Sequence, residues 1–436
     1  MLHDEEECLL GASLDETTGR RHTPTLKAVQ SQISGTVDDG RKSKFRNLVG
    51  FWFLGLCNNF AYVVMLAAAV DIIRKFDDGK ANEPPDINKC TPASAGTILL
   101  ADILPALLIK ICGPFINANT HVQVALVVCL SAGSFILTSV STVRWLAFLG
   151  VIAASLGSGL GELTFLKYSS CFDKNVVSAW SSGTGAAGVL GATLYTLIAL
   201  AIPPEETLLI MLVVPVILAI SFWIILEHPP KPGSEVSSHA GSSNAISGSE
   251  TSRSLQTVSQ AANLTFTQKV RLIKPLLKYM IPLGLVYFAE YFINQGLTEL
   301  ILFDNGIPVE TQYRWYQVSY QVGVLISRSS VNILQIHKLW LLPALQFANA
   351  IFFTFEALYR FVPSFYVIVT VIVFEGLLGG ASYVNTFYKI SQEVSPQYRE
   401  FSMGVTSLAD SLGITISAFA AIWAHNLICT YRETHH

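Results

Sequence analysis

Long apolar runs, each about as long as a membrane is thick, alternate with short polar segments along most of the chain. The hydrocarbon core of a bilayer is about 30 Å thick, and about 20 apolar residues of helix cross it. Helices are expected because no water is present there to satisfy free backbone groups. Eleven segments fit, near 47–70, 93–114, 121–141, 145–168, 177–201, 207–227, 274–303, 312–336, 338–360, 363–391 and 400–428. The pattern predicts an all-α integral membrane protein with about 11 transmembrane helices.

One polar interval, residues 228–268, divides these spans into six and five. The interval is rich in Ser, Gly and Pro and poor in apolar residues, so it cannot bury enough surface to fold. We expect a disordered linker between a six-helix half at 47–227 and a five-helix half at 269–428. A disordered tail at 1–46 and a short tail at 429–436 complete the predicted organisation.

Basic residues close to the ends of the spans predict the orientation in the membrane. Four Lys or Arg residues within 41–46 precede the first span, and four within 269–278 precede the seventh. The N-terminal tail and the linker are therefore expected on the cytosolic side. An odd number of spans then places the C-terminus in the lumen.

Two stretches recur between the predicted halves in the same register. The Thr, Phe, Lys and Ser of 164–169 return at 386–391, and the Thr, Ala, Leu, Gly and Thr of 184–193 return at 406–415. Coincidence among apolar helices is the alternative to a true repeat. Two similar halves are the layout of major-facilitator transporters. The Gly-x-x-x-Asp-Arg-x-Gly-Arg signature of those transporters is missing between spans two and three, so the resemblance is one of architecture.

The seventh span carries a polar stripe. Tyr287, Glu290, Tyr291 and Asn294 follow the spacing of one helix face, and Gln295 lies beside them. This face is not expected to meet lipid. It points either to a cavity or to hydrogen bonds between helices, which are common in membrane bundles.

Polar residues also occur in the other three helices that line the cavity in a major-facilitator layout. An ionisable group inside a membrane is a functional candidate, because it is costly unless it is paired or solvated. These candidates for substrate binding are Asn58, Asn59, Glu162, Glu375, Tyr383 and Asn385. Asp410 is a candidate structural partner. The carrier hypothesis depends on convergence of these groups in one wet chamber, and it fails if Glu290, Asn58 and Asn385 are dispersed among separate dry helix contacts.

Positive charge inside the spans is sparser. An arginine presents a fixed fork of donors to a phosphate or carboxylate, so Arg328, or Arg314 together with Lys110, is a candidate for attracting an anionic solute. An ion pair between Arg328 and an intramembrane Glu is the alternative. No histidine lies well inside a predicted span, which leaves proton coupling to carboxylates, with Glu290 and Glu162 as the first candidates.

The composition argues against several classes of function. Charged residues make up 14% of the chain and the net charge is −3, so we expect no nucleic-acid partner. The seven cysteines lack metal-ligand spacing, and no arrangement of catalytic residues is evident, so we expect no metal, cofactor or enzyme activity. A disulfide between Cys90 and Cys429 is possible in an oxidising lumen.

Three short motifs need separate interpretations. GTGAAG at 183–188 lacks the strand that a dinucleotide site requires, so it predicts close helix packing, as do the G-x-x-x-G pairs 157/161 and 376/380. An acidic residue, Glu5, stands four positions before Leu9 and Leu10. This spacing resembles the dileucine signal that clathrin adaptors bind on the way to endosomes and lysosomes.

Longer strings resemble the battenin family of lysosomal membrane proteins, which is linked to juvenile Batten disease. They include VGFWFLGLCNNFAYVVML (49–66), GSGLGELTFL (157–166), YFAEYFINQGLTEL (287–300) and EGLLGGASYVNTF (375–387). The resemblance covers nearly all spans. It implies a lysosomal or late-endosomal membrane location, a major-facilitator-like fold, and a role in clearing glycerophosphodiesters from the lumen.

Three functions stay open at this point. The first is a carrier that exports glycerophosphodiesters, with or without protons, by rocking of two halves around a central site. The second is a carrier of basic amino acids or nucleosides, for which the carboxylates would bind the cation. The third is a non-transporting regulator of lysosomal lipid handling, pH and trafficking. The expected partners are membrane lipid, a small anionic solute and the adaptor.

Overall fold

The computed structural model describes residues 26–74, 94–116, 118–199, 201–228, 265–304, 307 and 309–435, and the regular structure of these ranges is helical. The α-helices are α1 Leu26–Arg74, α2 Ser94–Cys112, α3 Thr120–Ser139, α4 Arg144–Ser169, α5 Asn175–Ala199, α6 Pro204–Ile210, α7 Val213–Ile220, α8 Phe266–Phe292, α9 Val309–Arg328, α10 Leu341–Tyr359, α11 Phe365–Glu393, α12 Pro396–Thr406 and α13 Leu408–His435. The turns Ser221–Ile225 and Ile293–Leu297 are π-helical and extend α7 and α8.

Eight helical segments among the described residues are long and apolar enough to cross a membrane. Their outer faces expose large apolar side chains such as Val122, Phe419 and Trp423, which is the surface expected towards lipid. The other three predicted spans coincide with α2, α5 and α9. The all-α membrane fold is thus confirmed, and the helices are compatible with the predicted count of eleven.

Two helices begin earlier than the sequence predicts. Helix α1 starts at Leu26, inside the tail that was expected to be disordered, because extending an existing helix costs little once its nucleus has formed. Helix α8 starts at Phe266, inside the expected linker, because Thr265 and Gln268 form a capping box that satisfies free backbone N–H groups. Both corrections shorten the disordered segments expected at 1–46 and 228–268.

The unit Asn47–His436 is a single compact body. Helices pack within the predicted halves, as α3 with α4 and α9 with α11, and also between them. The contacts between the halves run from α5 to α9 and α11 on one side, and from α2 to α13 and α4 to α12 on the other. The predicted halves therefore meet along two seams that enclose the polar centre.

Small residues allow the helices to approach closely, as the glycine motifs predict. A Cβ atom on Gly157 would lie 3.2 Å from the Leu130 side chain, and one on Gly376 would lie 3.1 Å from the Val324 nitrogen. In the GTGAAG segment, a Cβ on Gly185 would lie 3.1 Å from the Leu325 Cα. The interpretation of these motifs as helix packing is confirmed.

Several predictions fall outside the described residues. They include the dileucine motif, the interior of the linker at 229–264 and Cys90. Cys429 is disulfide-bonded, and the thiols of Cys57, Cys112, Cys129 and Cys171 are free. The pairing of Cys90 with Cys429 stays a prediction.

Candidate functional site: a charged chamber between the helices

A cavity of about 80 Å³ lies among seven helices of the unit Asn47–His436. Polar and aromatic side chains dominate its lining. We call it the chamber; its lining residues are Asn59, Tyr62, Ile103, Ala106, Lys110, Ser158, Gly159, Glu162, Tyr287, Tyr291, Arg328, Tyr383, Asp410, Ser411 and Ile414.

Half of the substrate-binding residues predicted from the sequence meet at the chamber. They come from α1, α4, α8, α9 and α11, so they include one residue or more from each of the four helices expected to line a central cavity. These residues are Asn59, Glu162, Tyr287, Tyr291, Arg328 and Tyr383.

Lys110 lies between two carboxylates at one wall of the chamber. Its Nζ is 2.6 Å from Glu162 Oε2 and 2.9 Å from Asp410 Oδ1, and the Tyr383 hydroxyl donates to Glu162 Oε1 at 2.7 Å. Removing each charge from water costs several kcal/mol, which the two close pairings offset. Asp410 is therefore an ion-pair partner, and this triad joins α2 and α4 to α13.

Arg328 lies across the chamber and is held by neutral groups. Its Nη1 donates to Thr184 Oγ1 at 2.6 Å, its Nη2 donates to the Tyr287 hydroxyl at 2.8 Å, and the guanidinium lies 4.4 Å from the centre of the Tyr383 ring. Among the described residues, no carboxylate oxygen lies within 4.0 Å of it, and its Nε has no hydrogen-bond partner. The alternative of an ion pair with an intramembrane Glu is therefore not the arrangement found.

A second polar cluster lies away from the chamber, where α8, α9 and α11 pack together. The Tyr320 hydroxyl donates to Glu290 Oε1, and Asn294 Nδ2 donates to Glu375 Oε1 at 2.9 Å. The remaining oxygens of Glu290 and Glu375 have no hydrogen-bond partner. We call these four residues the carboxyl cluster.

The polar stripe of the seventh span therefore divides between two places. Tyr287 and Tyr291 line the chamber, whereas Glu290 and Asn294 belong to the carboxyl cluster. Each pair is spaced i, i+4, so each pair occupies one side of a broad polar face. Gln295 is half-buried in the π-helical turn after α8 and does not line the chamber.

Two of the predicted asparagines also lie elsewhere. Asn58 Nδ2 donates to the Ser158 carbonyl at 3.0 Å, and Asn385 Oδ1 accepts from the Ile336 N–H at 2.7 Å. Together with Glu290, these residues occupy separate helix contacts. The expected convergence of this trio is not found, so the trio does not support a carrier. The chamber is formed instead by the six predicted residues named above, together with Lys110, Asp410 and their neighbours.

Sequence reasoning did not single out Tyr62, Thr184 or Tyr320 for the site. A tyrosine or threonine in a helix gives little signal by itself, and Tyr320 would have been found only by asking which hydroxyl could reach Glu290. The side chain of Arg314 lies outside the described set. Within the described residues, no group of three or more His, Cys, Asp or Glu side chains could hold a metal ion.

Comparison with known proteins identifies the family. The family model described as CLN3 protein matches residues 49–431. Battenin of Canis lupus familiaris is 41% identical over 404 residues, which cover 88% of this chain and 92% of that protein. The chain belongs to the CLN3 protein family. Protein BTN1 of Yarrowia lipolytica is 35% identical over 393 residues, which cover 88% of this chain and 94% of that protein. The resemblance to the battenin family is confirmed.

The CLN3 family chain also resembles a solved transporter structure. The human organic anion transporter MFSD10 (TETRAN) matches with a TM-score of 0.60 at 12% identity, covering 89% of this chain and 97% of that one. At this identity the likeness concerns the fold. It confirms the predicted major-facilitator-like architecture of this multi-pass membrane protein.

Proposed function

We propose that this chain is a carrier of the lysosomal and late-endosomal membrane that exports glycerophosphodiesters from the lumen by alternating access. The observation that carries the proposal is Arg328, a half-buried guanidinium that lines the chamber and is held by neutral groups. A phosphodiester carries one negative charge on two oxygens, which a guanidinium binds as a fork.

The rest of the chamber suits the hydroxyl groups of such a solute. Asn59, Tyr287, Tyr291 and Tyr383 line it and supply amide and hydroxyl groups, which can donate to or accept from a glycerol moiety. The chamber is about 80 Å³, far below the roughly 300 Å³ or more of ordinary ligand pockets. The helices must therefore separate before a solute of this size can enter, as rocking of two halves would allow.

The charge distribution favours an anionic solute over a basic amino acid. A cationic substrate would need a free carboxylate, and the two carboxylates that line the chamber, Glu162 and Asp410, are both paired with Lys110. MFSD10 is described as an organic anion transporter; because its likeness concerns the fold, the argument for an anion depends on Arg328.

Counterflow of radiolabelled glycerophosphocholine into liposomes that contain the purified full chain tests the proposal. Arg328→Gln is expected to lower the exchange rate about 10-fold or more, because a charge-assisted contact is lost. The exposed Arg271 provides the matched control, and Arg271→Gln should exchange as the native chain does. Equal exchange by both variants would contradict the role of Arg328.

The same liposomes separate the other functions. Unlabelled lysine or adenosine should not compete with the labelled phosphodiester, and competition by either would favour the second class of carrier. Absence of exchange of any of the three solutes would favour a non-transporting regulator.

We propose that delivery to lysosomes depends on the N-terminal acidic dileucine, read by a clathrin adaptor. Joint replacement of Leu9 and Leu10 by Ala should raise the fraction of the protein at the plasma membrane, measured by surface biotinylation. Glu5→Gln should also raise the fraction at the plasma membrane, but by less. An unchanged amount of the double variant at the plasma membrane would contradict the role of this motif as a sorting signal.

A further inference from the structure

Asp102 on α2 is a buried acid of the membrane region without a hydrogen-bond or ion-pair partner among the described residues. It is 0% exposed, and neither of its carboxyl oxygens makes a hydrogen bond. Among the residues that the structure describes, no Lys, Arg or His nitrogen lies within 4.0 Å of it. The other acids near the centre differ, since Glu162 and Asp410 are paired with Lys110.

Asp102 also lies about one helical turn before a proline. Pro105 stands inside α2 and has no N–H, so the helix bond to the Ala101 carbonyl cannot form. The Ser155 hydroxyl of α4 accepts from the Ala106 N–H at 3.2 Å and donates to the Asp102 carbonyl. The backbone that carries Asp102 is therefore fastened to α4 through one side chain, at a point where bending is easy.

The groups around Asp102 do not favour a negative charge. Tyr62 of α1 is close enough to interact electrostatically with the carboxyl, Ser155 of α4 contacts only the backbone, and Asp410 of α13 is held by Lys110. Lys110 itself lies eight positions along the helix, about 12 Å away. An ionised carboxylate here would be uncompensated, so the neutral, protonated form is the one that fits.

We propose that Asp102 binds the proton that moves with the solute. It holds the proton while the chamber is closed, and it releases the proton when bending of α2 at Pro105 lets water reach the carboxyl. The O–H bond of the carboxyl breaks, the proton passes to that water, and a carboxylate remains until it is protonated from the other side. The inference rests on the proposed carrier function, and it replaces Glu290 and Glu162 as the first candidates for proton coupling.

A proton fits Asp102 better than a metal cation does. A metal cation needs several oxygen ligands, whereas a proton needs one basic oxygen. The position also suits coupling, because Ile103 and Ala106, one and four positions after Asp102 along α2, line the chamber.

Infrared spectroscopy of the full chain in lipid tests the protonation directly. The C=O stretching band of protonated carboxyl groups should lose one component in Asp102→Asn, and Asp102→Glu should shift that component. Glu162→Gln provides the matched control and should leave the component in place. A spectrum that neither Asp102 variant changes would overturn the proposal, and this result does not depend on transport.

Transport measurements test the coupling. Asp102→Asn should retain solute counterflow at equal pH on both sides, and it should lose accumulation of solute against its gradient when a pH difference is imposed. Accumulation equal to that of the native chain would overturn the proposal. If the native chain shows no counterflow, the carrier function fails, and the infrared result alone then decides the protonation of Asp102.

Discussion

The chamber and the carboxyl cluster both contain buried carboxyl groups, but a cation neutralises those of the chamber and only neutral groups contact those of the cluster. In the chamber, Glu162 and Asp410 share Lys110. In the carboxyl cluster, Glu290 and Glu375 contact only neutral donors, from Tyr320 and Asn294. The buried carboxyl groups of these two places thus persist either by pairing with a cation or by accepting from neutral groups, and the two solutions have different costs.

The two places also differ in what they connect. The triad of Lys110, Glu162 and Asp410 joins helices of both predicted halves, whereas the carboxyl cluster joins α8, α9 and α11 of one predicted half. Rocking of one half against the other would break the first set of contacts and leave the second intact. The triad can therefore differ between conformations, and the carboxyl cluster is expected to move as a rigid part.

The largest loss of stability is expected for Lys110→Met. This change leaves two buried carboxylates without a cation, and the expected loss is about 3–5 kcal/mol of unfolding free energy. The fall in the thermal unfolding midpoint in detergent measures it, with Lys278→Met as an exposed lysine control.

A triple variant tests whether pairing is the cause. Adding Glu162→Gln and Asp410→Asn to Lys110→Met removes every charge of the triad, so most of the lost stability should return. A triple variant as unstable as Lys110→Met alone would mean that the lysine acts by packing.

The next largest loss of stability is expected from a side chain added at Gly379, in the space beside Glu290. A Cβ atom on Gly379 would lie 2.6 Å from the Glu290 carboxyl carbon, and Glu290 is buried and held by Tyr320. Gly379→Ala should therefore lose about 2–3 kcal/mol through overpacking. Gly133→Ala is the matched control, because nothing lies within 4 Å of its added Cβ. Equal unfolding midpoints for the two variants would show that Glu290 can move aside.

The sequence predicts the helices well and the contacts between them only in part. A bilayer imposes one length on every span, so the apolar runs are visible without any tertiary information. The partner of a buried charge carries no such signal, since Lys110 and Asp410 are 300 positions apart. The stripe of the seventh span was recognised as polar, but its division between Tyr287 and Glu290 depends on which helices pack on either side.

Removal of single hydroxyl groups should distinguish the two surroundings. Tyr320→Phe takes away the donor to Glu290 and leaves a carboxyl group without a partner, so it should lose about 1–2 kcal/mol. Tyr383→Phe takes away a donor to Glu162, which keeps its ion pair with Lys110, but it also takes away the acceptor of the buried Trp180 Nε1–H. Measured in a Trp180→Phe background, which removes that second bond from the comparison, Tyr383→Phe should lose less than Tyr320→Phe. Thermal unfolding of each variant against its own background at one pH gives the comparison, and the reverse order would contradict it.

The smallest effect should come from the ion pair on the solvent-exposed side. Lys278 and Glu393 lie 3.4 Å apart, and their side chains are 62% and 42% exposed. Water screens such a pair, and holding two long side chains in place costs entropy, so Lys278→Gln should lose less than about 0.5 kcal/mol. The loss should also shrink as salt is added, whereas the effect of Lys110→Met should not, because bulk ions do not reach the buried triad. A salt-independent loss of similar size in both variants would remove the distinction between the paired carboxylates of the chamber and an ordinary surface contact.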